Sequence, residues 1–310
     1  NGKYKVLMLS DHALSTSGVG TQSRHLIEGL LKKNMWSFRQ FGAAVQHDNY
    51  DTVKVNEDFI IKPMDGFGNK EILRMALATE KPDIVFIFTD PRFFYWLFEM
   101  EDEIRQVCPI IYWHVWDNSP YPEFNAPFYE ACDIINCHSH HTYSQLKDHF
   151  PRKTNFVPHS LPPEIFFPIP EHQKVIKRSE IIGANRADHF VLFWMNRNAR
   201  RKRPNDLLYS YKLFLDDLQK NHGHKKATLL MHTDPNDVEG PNLFAVCDML
   251  GIKDNVVFSN QRVDFKVMNH LHNIADVVVN ISYAEGFGLS TLEAMQAGTP
   301  IIAGKTGGQT

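Results

Sequence analysis

Two glutamates, Glu285 and Glu293, stand eight residues apart near the end of the chain, in the run Glu285-Gly-Phe-Gly-Leu-Ser-Thr-Leu-Glu293. Between them Gly286 and Gly288 let the backbone turn tightly into a helix expected over 289–297. The first amides of a helix have no partner within it, so this turn is a ready anion site. Carboxylates beside an anion site suit a ligand that carries both negative charge and hydroxyls. Glu293 falls within the helix's apolar arc, where a solvated glutamate does not belong. Two readings stand for it. It could accept hydrogen bonds from vicinal hydroxyls such as those of a ribose. Or it could close a capping box with Ser290 as N-cap. Glu285 has no comparable structural role and is the more suggestive of the two.

A second group is Arg197-Asn-Ala-Arg-Arg-Lys-Arg203, in which five of seven residues are basic. Such a run is commonly a solvated face or a nucleic-acid patch. This one directly follows a strand expected over 190–195, at the edge where α/β sheets bind ligands. There Arg can grip phosphate bidentately and Lys can supply a point charge. A third group, Gly18-Val-Gly20, lies between a first strand and a first helix. Ser23 replaces the third glycine of a dinucleotide fingerprint, and no acidic residue ends the second strand at Phe38–Ala44. A substrate-facing loop and a plain βα turn both remain open. His114 sits near the end of an apolar strand, three residues before Asp117; it is either a core histidine or one that reaches a ligand. The remaining histidines, including His138, His140 and His141, form no metal signature, and no metal site is expected.

These groups need elements to hold them. Apolar runs at Lys3–Ser10, Trp36–Ala43, Phe59–Lys62, Asp83–Thr89, Pro109–Trp116 and Asp133–Cys137 read as strands. Helical periodicity falls at Thr21–Lys33, Lys70–Glu80 and Thr142–Phe150. The segment Val157–Pro170 then holds five prolines in fourteen residues, which rules out a regular element. Alternation restarts with strands at Phe190–Met195, Ala227–His232, Asn255–Ser259 and Asp276–Ser282. Helices are expected at Pro204–Asn221, Leu243–Leu250 and Phe265–Ala275. Strand and helix in turn imply parallel sheets covered on both faces. The expected organisation is a Rossmann-like domain over 1–157, a linker over 158–170 and a second Rossmann-like domain over 171–310. Two doubly wound domains joined by a hinge would face each other across a cleft at the carboxyl ends of their strands.

Composition narrows the class. The 310 residues are 43% hydrophobic and 22% charged, as in ordinary globular proteins. A net charge of -3 gives no global attraction to nucleic acid or anionic lipid. No apolar run reaches transmembrane length and no signal peptide opens the chain. The four cysteines lack metal or redox spacing and read as reduced thiols of a cytoplasmic protein. The chain begins with Asn and stops just after a glycine loop, so the second domain is expected to be incomplete at its C-terminus.

The run from Glu285 to Glu293, followed by Ala297-Gly-Thr-Pro-Ile-Ile-Ala303 and Gly307-Gly308, resembles the E-x7-E signature of retaining GT-B glycosyltransferases. The group it resembles is the glycosyl transferases group 1 family, or family 4. Arg197 and Lys202 resemble that family's diphosphate-binding pair. Pro158–Pro168 resembles its interdomain segment, and Ser17-Gly-Val-Gly20 its N-terminal glycine loop. Two positions differ: Ser17 and Asn196 stand where many members have glycine. The resemblance implies α/β GT-B domains, a UDP-, GDP- or ADP-sugar donor, retention of configuration, and no obligatory metal or cofactor. It places Glu293 on the donor ribose and Glu285 on the sugar hydroxyls. It places the amides of Phe287, Gly288, Leu289 and Ser290 on the distal phosphate, and Gly286 in the same nucleotide-binding loop. Arg197 and Lys202 would neutralise the leaving diphosphate, and His114 would lie near the sugar. The loop Asn260–Asp264, Val263 within it, would lie by the base, and Gly18 and Gly20 would face substrate. The acceptor would be a glycan, lipid, protein or small molecule. An epimerase or hydrolase of the same fold, or an inactive nucleotide-sugar-binding protein, are the alternatives.

Overall fold

In a computed structural model, described for residues 2–44 and 46–310, the chain divides into two units, Asn1–Ser160 and Leu161–Thr310. The division falls inside the proline-rich stretch 158–170.

The first unit alternates strand and helix. Its strands are β1 (Tyr4–Asp11), β2 (Trp36–Ala43), β3 (Val53–Asn56), β4 (Phe59–Pro63), β5 (Ile84–Phe88), β6 (Ile110–His114), β7 (Ile134–Cys137) and β8 (Thr154–Phe156). Its helices are α1 (Gly18–Leu31), α2 (Lys70–Glu80), α3 (Tyr95–Phe98), α4 (Glu101–Arg105), α5 (Ala126–Ala131) and α6 (His140–Leu146). They cover an eight-stranded sheet of order β3-β4-β2-β1-β5-β6-β7-β8, parallel except for the antiparallel β3–β4 pair. Successive residues of β1 serve opposite faces: Leu7 and Leu9 join one core, Val6 and Met8 the other. Both cores are closed, so the strand is apolar throughout. Fully burying each such side chain contributes about 1.5–3 kcal/mol.

The second unit holds α7 (Glu171–Ile182), β9 (Phe190–Met195), α8 (Pro204–His222), β10 (Ala227–His232), α9 (Leu243–Met249), β11 (Val256–Ser259), α10 (Phe265–Ile274), β12 (Val277–Asn280), α11 (Leu289–Gln296) and β13 (Ile301–Ala303). Its five-stranded parallel sheet runs β11-β10-β9-β12-β13. From β9 the chain steps outward to β10 and β11, then returns to lay β12 on the other side of β9. The switch point therefore lies between the carboxyl ends of β9 and β12, where open α/β sheets bind ligands.

The structure differs from expectation in several places. Helix α1 starts at Gly18 rather than Thr21, because Ser17 caps it by accepting from the Gly20 amide at 3.0 Å. Gly18 and Gly20 thus open the helix instead of preceding it. Helix α6 starts at His140, behind a capping box between Ser139 and Thr142. Helix α7 has no sequence signature because Ile182 is its one fully buried residue. It is anchored instead by Arg178, which donates to the Ile274 carbonyl and to Asp276. No helix among the described residues is long and apolar enough to cross a membrane. All four cysteines are free and buried, and burial pushes the Cys137 thiol up to about 12.

Candidate functional site

The loops that leave β9 and β12 carry most of the chemistry-bearing residues singled out above. After β9 a short 3-10 turn, Arg200–Lys202, is followed by Arg203 in the left-handed region at φ 57°. This turn carries Lys202 inward, to 6% exposure, while the neighbouring arginines stay in solvent. The Tyr283 amide donates to the Arg201 carbonyl at 2.7 Å, and an Arg201 guanidinium nitrogen donates to the Ala284 carbonyl at 3.3 Å. One backbone and one side-chain hydrogen bond therefore lace the two loops together and set Lys202 beside Glu285.

Lys202 Nζ lies 2.5 Å from Glu285 Oε2, with side chains only 8% and 13% exposed. Asn280, the last residue of β12, donates to the same oxygen at 3.3 Å and to Ser290 Oγ at 3.4 Å. Its own Oδ1 accepts from the Ser282 amide and hydroxyl. Asn280 is a site residue that pattern reading missed, although a buried polar residue ending the run Val277–Val279 was a visible signal. The Glu285 backbone is held too, since its carbonyl accepts from the Gly308 amide at 3.0 Å. The two glycine loops approach so closely that a Cβ on Gly308 would sit 2.2 Å from the Gly286 carbonyl oxygen.

Gly288 is the N-cap of α11 at φ 88°, and its carbonyl accepts from the Thr291 and Leu292 amides. The amides that precede these, at Leu289 and Ser290, belong to the first turn, where no intrahelical acceptor exists. Ser290 lies inside the helix and caps nothing, so the capping-box reading of Glu293 fails. The buried Glu293 instead accepts from His272 Nε2 of α10 at 2.7 Å. The pair is 21 residues apart in sequence and invisible to local spacing.

Arg197 is not brought to this pair. Its guanidinium spans Asp237 at 2.8 and 3.2 Å and reaches Glu239 at 3.2 Å. The hydrogen bond to Asp237 raises the arginine pKa, and the same bond holds the Asp237 carboxyl below its ordinary range. The loop that bears Asp237 is pinned by Asn198, which donates to the Pro241 carbonyl at 2.8 Å. The Arg197 side chain is nonetheless 54% exposed. Val263 packs at the margin of the core formed by Val191, Phe193 and Leu271.

In the first unit, β1 ends in Asp11, buried and accepting from Ser17 Oγ at 2.6 Å. Burial raises its carboxyl pKa against the lowering effect of that bond. Gly20 has no room for a side chain, since a Cβ would lie 2.2 Å from Ser15 Oγ and 2.5 Å from the His12 carbonyl. His114 ends β6 at 2% exposure, with Nε2 2.6 Å from the Tyr129 hydroxyl. Burial, reinforced by His138, pushes its pKa down to about 3. Burial at this position favours the neutral imidazole, which can accept or donate one hydrogen bond, here with Tyr129.

Comparisons with known proteins bear on the fold and on the sequence of the second unit. Residues 177–310 match the sequence model of the family described as Glycosyl transferases group 1. A D-inositol 3-phosphate glycosyltransferase of Mycobacterium sp. (strain KMS) is 41% identical over 69 residues, 22% of this chain and 15% of that protein. The match thus spans about 15% of the length of this curated relative. Among solved structures, sucrose-phosphate synthase from Thermosynechococcus elongatus superposes with a TM-score of 0.76 at 16% identity, over 99% of this chain and 82% of the other. Anabaena HepE in complex with UDP and glucose gives 0.69 at 17% identity, over 98% and 82%. The architecture is the two-unit α/β fold of GT-B glycosyltransferases.

Proposed function

From a second unit that matches the group 1 glycosyltransferases, on a GT-B fold, we propose that this chain is a retaining hexosyltransferase. It moves a hexose from a nucleotide-diphosphate sugar to a hydroxyl acceptor. The observation that carries the reading is the grouping, at the second sheet's switch point, of the Lys202–Glu285 pair with the first turn of α11. An ammonium and a helix N-terminus suit a diphosphate, and the two carboxylates suit hydroxyls on either side of it. The solved neighbour bound to UDP and glucose supports a donor of this class.

Each residue then has a task. Lys202, steadied by Glu285, neutralises charge that develops on the leaving diphosphate, the work a divalent ion performs elsewhere. Arg197 exchanges Asp237 for a phosphate oxygen. Glu285 accepts from sugar hydroxyls and Glu293 from the ribose. The anomeric carbon loses its bond to the phosphate oxygen and gains one to the acceptor oxygen on the same face. The departing phosphate oxygen takes the acceptor proton. The first unit takes the acceptor, and the reaction runs in the cytoplasm without a resident metal.

A calorimetric panel of UDP-, GDP- and ADP-glucose tests the binding half. One of them binds, and the corresponding Arg197→Ala variant loses about tenfold in affinity, the value of one charged hydrogen bond. Because Arg197 is exposed, the same variant shifts stability by less than about 1 kcal/mol. NMR of the transferred sugar in the presence of EDTA tests the rest: retained configuration is expected. Inverted product, or no heat with any of the three nucleotides, refutes the assignment.

A further inference from the structure

We infer that His272 is a positioning residue for the donor ribose, acting through Glu293. The inference rests on the reading of Glu293 as the ribose contact. His272 is fully buried in α10, and its Nε2 donates to Glu293 Oε2 at 2.7 Å. Its Nδ1 has no hydrogen-bond partner among the described residues, so the proton belongs on Nε2, where it has an acceptor.

The imidazole cannot turn away from this bond. The rings of Phe193 and Phe166 meet it edge-on, at centroid distances of 5.1 and 5.9 Å. Its backbone carbonyl accepts from Thr299 Oγ1 at 2.6 Å. Helix α10 is itself clasped to the proline-rich segment: Asn269 accepts from the Phe167 amide at 3.1 Å and Asn273 from the Ile169 amide at 2.9 Å. Phe166 therefore rests on His272 while its neighbours are tied one turn apart along the same helix.

The consequence concerns the two oxygens of one carboxylate. His272 occupies Oε2 and fixes the plane of the Glu293 carboxyl. Oε1 is the oxygen left for a ligand hydroxyl. A carboxylate held this way discriminates a ribose from a sugar that lacks those hydroxyls, because the oxygen cannot swing to find another donor.

The test uses the nucleoside diphosphate that the chain binds best and its 2′,3′-dideoxy counterpart. Isothermal titration of the unaltered chain should favour the ribose form by about tenfold or more. In His272→Phe that preference falls to within about twofold, and the donor KM rises more than kcat falls. In His272→Gln, whose amide nitrogen reaches the position of Nε2, most of the preference returns. In His272→Asn, one carbon shorter, it does not, which keeps the comparison available if the phenylalanine variant fails to fold. An unaltered preference in the phenylalanine or asparagine variant overturns the role of His272 and leaves the ribose reading standing. A ratio near one in the unaltered chain removes the ribose reading, and the inference with it.

Discussion

Lys202→Met isolates the ion pair at the switch point. The methionine keeps the length of the stem and removes the ammonium, leaving Glu285 at 13% exposure without its nearest cation. Breaking a buried pair from one side costs about 3–5 kcal/mol. Asn280 still donates to Glu285 at 3.3 Å, and the carboxylate keeps some water, so about 2–4 kcal/mol is the expected loss. For a unit of this size each kcal/mol moves the melting temperature by about 2–4 °C, so the transition of the second unit falls by roughly 4–16 °C. The double variant Lys202→Met/Glu285→Gln has no stranded charge and should recover at least about half of that loss. The assay is a thermal melt of the two single variants, the double variant and the parent. Calorimetry with the nucleotide diphosphate separates the pair's two duties. The double variant regains stability yet binds at least about tenfold more weakly than the parent, because no ammonium faces the phosphates. A Lys202→Met melting temperature within about 2 °C of the parent refutes the claim that the pair is buried and coupled. A double variant that binds like the parent refutes the phosphate role.

Other perturbations have equally definite outcomes. Gly308→Ala puts a Cβ 2.2 Å from the Gly286 carbonyl oxygen and 2.6 Å from Phe287 Cα, both backbone, so the Glu285–Gly288 turn must shift. Nucleotide affinity should fall about tenfold or more, whereas a Gly308→Ala chain that titrates normally shows that the turn is not a ligand contact. His114 is pushed down to about 3 and His159 well below its ordinary value, both chiefly by burial. The unfolded chain titrates both near 6.5, so at His114 it binds more protons than the folded chain between about pH 6.5 and 3, and His159 acts in the same direction below about pH 6.5. Stability therefore falls as pH falls through the His114 window, by about 1.4 kcal/mol per pH unit for that group. Urea midpoints at about pH 7 and 5 should differ less for His114→Phe than for the parent; equal differences would show that His114 titrates normally in the fold.

The sheets were legible because their strands are closed on both faces. Residues Phe190–Met195, Ala227–His232 and Trp36–Ala43 coincide with observed strands to the residue. The alternation of elements implied that the basic run 197–203 and the glycine loop leave the carboxyl ends of strands, while the strand order, and with it the switch point and the Lys202–Glu285 pair, is visible only in the fold. What spacing could not show was partnership across space. Glu293 had a local explanation in Ser290, three residues away, but its true partner is His272 on another helix. Arg197 and Lys202 looked alike in one basic run, yet a single 3-10 turn sends one into solvent toward Asp237 and the other inward to Glu285. Helix α7 was missed for a different reason. It buries one residue and is fastened by Arg178 to the end of α10, so it carries no amphipathic stripe to detect.

The cysteines allow the two units to be timed separately. Cys108, Cys132 and Cys137 lie in the core of the first unit, and Cys247 in that of the second. Burial raises all four thiols, two of them to about 11, so little reactive thiolate exists while either unit is closed. A thiol reagent added at neutral pH consequently reports opening events rather than surface chemistry. Peptide mapping of the label then assigns each rate to its unit. Slower modification of Cys247 with nucleotide, alongside an unchanged rate for the other three, would show which half of the chain the ligand holds shut.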